Sequence, residues 1–96
     1  MTLIRHIVLM RFTDPGDAAL AKAQLDAMPA QIPSLLSLRV GLDIVRSESS
    51  YDLVLESTHE DLSGLEDYVG HPVHQAFREW AAPRLAARAV VDCLDL

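Results

Sequence analysis

Ten residues, YVGHPVHQAF at 68–77, gather a phenol and two imidazoles around a glycine and a proline. A neutral imidazole accepts a proton, and a phenol donates a hydrogen bond to a carbonyl oxygen. Set against apolar walls, that pair suits removal of a proton from carbon next to a carbonyl. His71 stands between Gly70 and Pro72, where a helix is expected to start, and His74 falls in that helix's first turn. The positive end of a helix disfavours imidazolium, so both rings are expected to be neutral at pH 7. Tyr68 closes the preceding helical segment. The same residues also support a purely structural reading. Tyr68 then packs its ring and wets its hydroxyl, His71 bonds backbone, and His74 sits half exposed.

The other polar candidates add less on spacing alone. His6 lies on the strand parity of Ile4, Val8, Met10 and Phe12, an apolar face on which a lone histidine is usually a satisfied core residue. His59 follows Thr58 at an expected helix start and is read as solvated. His71 and His74 are i, i+3 neighbours that His6 could approach, but no cysteine cluster or suitably spaced carboxylate joins them. No metal is expected. Cys93 has no basic neighbour closer in sequence than Arg88 and reads as a buried, inert thiol. Nucleophile-elbow, phosphate-loop and dinucleotide-binding patterns are absent from the sequence, and no cofactor is expected.

The elements that position these groups follow from periodicity. Residues 3–12 read as a strand with both faces largely apolar. Asp14, Pro15 and Asp17 start a helix whose stripe is Ala18, Ala21, Leu25, Met28 and Ile32, with Pro29 and Pro33 ending or loosening it. Residues 35–45 alternate as a second strand, with Leu36, Leu38, Val40, Leu42 and Ile44 on one face. After the RSESS turn, YDLVLEST is a third strand. Thr58 and Asp61 have capping-box spacing for the next helix. Gly70 stops that helix, Pro72 restarts one through Val73, Phe77 and Trp80 to about Pro83, and RAVVDCLDL is a fourth strand. The order βαββαβ predicts an α+β, ferredoxin-like four-stranded antiparallel sheet with helices on one face. Helices cover one face only, yet the first and last strands are apolar on both. Leu3, Ile7 and Leu9 are each worth roughly 1.5–3 kcal/mol when buried, so a sheet-to-sheet homodimer is expected. A monomer with an exposed apolar face is the alternative.

Composition bounds the rest. The 96 residues suit a single domain, 1–96, half of it hydrophobic. A lone cysteine favours a reducing setting, and MTLIRHIVLMRF is too short and too charged to span a membrane, so a cytoplasmic protein is expected. Net charge is −6, and the basic residues are scattered apart from Arg84 and Arg88, which argues against nucleic acid.

The segments IRHIVLMRF, IPSLLSLRVGLD, SYDLVLES, YVGHPVHQAF and RAVVDCLDL, in that order, resemble the stress-responsive α/β-barrel (Dabb) domain family over about residues 4–94. The resemblance implies a dimeric α+β barrel. The family includes plant polyketide cyclases of the olivetolic acid cyclase type, which run a cofactor-free aldol condensation. It implies that His74 is the catalytic histidine and Tyr68 its support, with His6, His71 and Phe77 lining the pocket. Leu53 stands where that cyclase has a further pocket histidine, which implies a drier pocket. The expected function is cofactor-free acid/base chemistry on a polyketide-like or other carbonyl compound. A non-catalytic dimer binding a small ligand, and a relative of cofactor-free monooxygenases, are the alternatives.

Overall fold

The computed structural model describes residues 2–95; the first and last positions of the 1–96 domain lie outside them. The chain runs β1 (Ile4–Phe12), α1 (Asp17–Asp26), β2 (Ser37–Leu42), β3 (Leu53–His59), α2 (Leu62–Gly70), α3 (Pro72–Ala81) and β4 (Leu85–Leu94), with short 3-10 turns at Met28–Ala30 and Ala82–Arg84. The sheet order is β2-β3-β1-β4, antiparallel at every pairing. This is the ferredoxin-like arrangement. The β1–α1–β2 crossover leaves a gap that β3 fills, and β1 takes the centre beside β3 and β4.

Register fixes the faces. His6 pairs with Ser57 and Asp92, Val8 with Leu55 and Val90, and Met10 with Leu53 and Arg88. Residues opposite one another share a face, so this set points toward the helices. Val8, Met10, Phe12, Leu53 and Leu55 are buried there against Leu25 of α1, Leu65 and Tyr68 of α2, and Phe77 of α3. The stripe Ala18, Ala21, Leu25, Met28 and Ile32 is buried throughout, although the helix itself ends at Asp26. Pro29 turns the chain into a 3-10 segment that keeps Met28 inside.

Four local expectations are corrected. Asp14 does not cap α1; its carboxylate accepts from the Gly16 N–H and closes a turn before the helix. The second strand stops at Leu42, and Ile44 is 90% exposed. The reason is a polar clasp. Asp43 accepts from the Arg46 N–H, while the buried Asp52 accepts from the Phe12 N–H at 2.7 Å and pairs with Arg46 at 2.8 Å. Arg46 adopts φ 57, a left-handed conformation that turns the chain out of the ladder. Thr58 is no cap; it belongs to β3 and bonds Ser37, while Asp61 caps α2 by accepting from the Gly64 N–H at 2.8 Å. The fourth strand begins earlier than expected, at Leu85.

The opposite face carries Ile7 and Leu9 of β1, Val54 of β3 and Val91 of β4. Leu9 is 36%, Val54 37% and Val91 59% exposed. Arg5, Glu56 and Arg39 form an ion-paired rim beside them. Cys93 is half-buried on this face, opposite Arg5. No helix among the described residues is long and apolar enough to cross a membrane.

Candidate active site

The break between α2 and α3 builds the site. Gly70 ends α2, and His71 takes an extended conformation, as a residue before proline must. Its Nδ1 accepts from the Val73 N–H at 3.1 Å, so His71 is the N-cap of α3. That cap points the ring at its own backbone and keeps His71 out of the cavity lining, contrary to the pocket role expected for it. The break also leaves the Val69 carbonyl without a helical partner. His74 Nδ1–H donates to that carbonyl at 2.9 Å, and Gln75 Nε2 donates at 2.8 Å. A carbonyl only accepts, so the proton of His74 sits on Nδ1 and Nε2 is left as a bare acceptor. The ring is 7% exposed, not half exposed on the surface.

Four aromatic rings meet beneath this break. Tyr68 and His74 lie 4.5 Å apart by ring centroids, Tyr68 and His59 5.1 Å, and Tyr68 and His6 6.0 Å. Tyr68 is fully buried, and among the described residues neither its hydroxyl nor His59 Nδ1 has a hydrogen-bond partner. His6 Nδ1 pairs with the Asp92 carboxylate across the β1–β4 ladder, which turns its Nε2 away from Asp92.

A cavity of about 130 Å³ opens beside the rings. Val8, Met10, Leu25, Leu55 and Phe77 wall it, and His6, Tyr68, His74, Arg78 and Arg88 also line it. Leu53 is not among the lining residues. It is 2% exposed in the core, at the Met10 end of β3, two register steps from His6. The expected pocket set therefore divides: His6 and Phe77 line the cavity with Tyr68 and His74, whereas His71 and Leu53 do not.

His59, expected to be solvated, is completely buried. It ends β3 on the parity of Leu53, Leu55 and Ser57, and its Nε2 bonds Ser57 Oγ at 2.8 Å. Extending that alternation by two residues would have placed it with His6. Arg78 was not among the expected residues either, although it follows the buried His74 by one helical turn of α3, as an exposed residue at the edge of the face formed by His74, Phe77 and Ala81.

Burial sets the protonation of the cluster. It lowers His59 to about 4, helped by the nearby His6. It lowers His74 to about 4 as well, with the Val69 bond opposing and Arg78, His6 and Arg88 adding to the effect. It raises Tyr68 to about 12. At neutral pH the cavity lining thus holds a neutral His74 imidazole next to a protonated Tyr68 phenol. Among the described residues, no group of three or more His, Cys, Asp or Glu side chains is arranged to hold a metal ion.

The fold places the protein among ferredoxin-like α+β proteins. The chain belongs to the Dabb family: the stress responsive A/B barrel domain matches residues 4–95. A dimeric ferredoxin-like protein of unknown function from Thermobifida fusca YX is 31% identical, with a TM-score of 0.86 over 98% of this chain and 92% of that one. A dimeric protein of unknown function and ferredoxin-like fold from Bacteroides fragilis NCTC 9343 is 27% identical, with a TM-score of 0.85 over 97% and 96%. The hydroxynitrile lyase from Passiflora edulis shares the fold at 16% identity, with a TM-score of 0.83 over 98% and 94%. No curated protein matches the chain significantly.

Proposed function

We propose that the protein is a homodimer in which each copy runs cofactor-free acid/base chemistry on a small carbonyl compound held in the cavity. His74 Nε2 takes a proton from the carbon next to the carbonyl. The Tyr68 hydroxyl donates a hydrogen bond to the oxygen on which enolate charge develops, and His6 orients the bound molecule. The observation that carries this reading is the pairing of His74 Nδ1 with the Val69 carbonyl, which leaves Nε2 as an unencumbered acceptor beside a phenol with no partner among the described residues. A cavity of about 130 Å³ suits a ring or short acyl chain; a dry cavity of similar size, about 150 Å³, takes up benzene.

Dimerisation is supported by the exposed Leu9, Val54 and Val91 on the face away from the helices and by the dimeric description of the Thermobifida fusca and Bacteroides fragilis proteins. An apolar centre with an ion-paired rim is the anatomy of such interfaces.

The low proton affinity of His74 favours a second reading, a dimer that binds its ligand without turning it over. With His74 at about 4, protonating the empty site at pH 7 costs about 4 kcal/mol, which chemistry must offset. Deuterium uptake at the carbon next to the carbonyl, followed by NMR across a panel of small ketones and keto acids, separates the two. The acid/base reading expects uptake that His74→Ala and Tyr68→Phe abolish. Uptake unchanged in both variants ends the catalytic assignment, and saturable binding with no uptake leaves the binding dimer.

A further inference from the structure

The chain is acidic, with 14 Asp and Glu against 8 Lys and Arg, so a free cation near an apolar cavity is conspicuous. Arg5, Lys22, Arg39 and Arg46 each hold a carboxylate. Arg11 lies over the Tyr51 ring and bonds the Ser50 carbonyl, and Arg84 lies over the Trp80 ring and bonds the Trp80 carbonyl. Among the described residues, Arg78 and Arg88 have no ion pair, hydrogen bond or stacking partner, and these two line the cavity.

They reach it from opposite sides. Arg78 comes from α3, and Arg88 from β4 at the position opposite Met10. Both side chains are exposed, which sets them at the mouth, while Val8, Leu25, Leu55 and Phe77 are buried within. Among the described residues no carboxylate joins them in lining the cavity, and Asp92, the acidic group nearby, is committed to His6. An apolar slot closed by two uncommitted guanidinium groups is built for an apolar body with an anionic end, because the planar guanidinium matches carboxylate geometry.

We propose that the molecule bound here carries a carboxylate, gripped at the mouth by Arg78 and Arg88 while its apolar part enters the cavity. The class is small oxo-acids and aromatic acids. The carbonyl part of that class rests on the acid/base reading above; the preference for an anion does not. A bound carboxylate also changes the cavity electrostatically. Arg78 and Arg88 are among the groups that lower the proton affinity of His74, after burial, so neutralising them raises it toward the range a base needs.

Benzoate and benzamide test this, since they share a ring and differ in charge. Each is titrated by NMR into the intact protein at low ionic strength, following the amides of Val8, Tyr68 and His74. Benzoate is expected to bind at least about tenfold tighter than benzamide, the scale of a charge-assisted hydrogen bond. Arg78→Gln/Arg88→Gln is expected to erase that gap, and His74→Gln to keep it. Equal affinities, a gap that survives the double substitution, or no saturable shift with either compound each overturn the proposal. Its failure is separable from that of the acid/base reading. Charge preference without deuterium uptake in any keto acid sinks only the catalysis, and uptake without charge preference sinks only the anion site.

Discussion

Replacing Tyr68 with Phe should move stability and activity in opposite directions. The hydroxyl is fully buried and has no hydrogen-bond partner among the described residues. Leaving a buried polar group unpaired costs about 1–3 kcal/mol. Deleting one oxygen from a packed ring forfeits a smaller amount in lost contacts. The variant should therefore gain about 1 kcal/mol, equivalent to a rise of about 4–8 °C in Tm for a domain of this size. The same hydroxyl is held to about 12, so it stays a donor throughout the physiological range. Losing a donor aimed at developing oxyanion charge costs on the order of 10²-fold in rate. Urea unfolding at one fixed chain concentration reads the first effect, since dimer dissociation would otherwise contribute. Deuterium uptake reads the second. A variant that loses about 1 kcal/mol or more and keeps its exchange rate refutes the reasoning, because the hydroxyl would then be bonded in the resting protein and serve the fold.

Acid should destabilise the protein in a window set by His59 and His74. Both are lowered from 6.5 to about 4, chiefly because burial penalises the charged ring. Between those values the unfolded chain binds more protons, so their contribution is complete above about pH 6.5 and lost as pH falls through about 4. Each ring accounts for up to about 3 kcal/mol. Urea midpoints measured from pH 7 to pH 4 should fall, and His59→Gln or His74→Gln should each shrink the fall; a slope unchanged by both would contradict the assignment. On the outer sheet face, Val91→Glu should convert a dimer to a monomer by light scattering while leaving the helical and sheet content intact, because Val91 is 59% exposed within one chain. A dimer that survives this substitution places the interface elsewhere.

Periodicity exposed most of the frame because burial imposes it. The two apolar parities of β1 and the Ala18–Ile32 stripe, which runs through α1 and on past its end, both follow the faces they cover. It failed where polar groups decide the path. Ile44 continues the β2 alternation, but the Asp43, Arg46 and Asp52 clasp ends the strand before it. His59 follows the helix-start signal of Thr58 and Asp61 in the sequence, whereas β3 extends through His59 and keeps its parity. The glycine and proline at 70 and 72 marked the helix break correctly. Which ring the break would orient was not legible there: His71 spends itself on the cap, and His74 takes the orphaned carbonyl three-dimensionally, across the break. Arg78 and Arg88 come from separate elements ten residues apart, and only the closed fold brings both to one cavity mouth.

Long-range proton–nitrogen NMR on isotope-labelled protein reads the protonation of each imidazole nitrogen directly. At pH 7 the His74 ring should be the neutral tautomer with its proton on Nδ1 and a bare Nε2 whose resonance shifts when benzoate enters the cavity. A ring protonated on Nε2, or one that titrates near 6.5 as a solvent-exposed histidine does, would leave the cavity without its base.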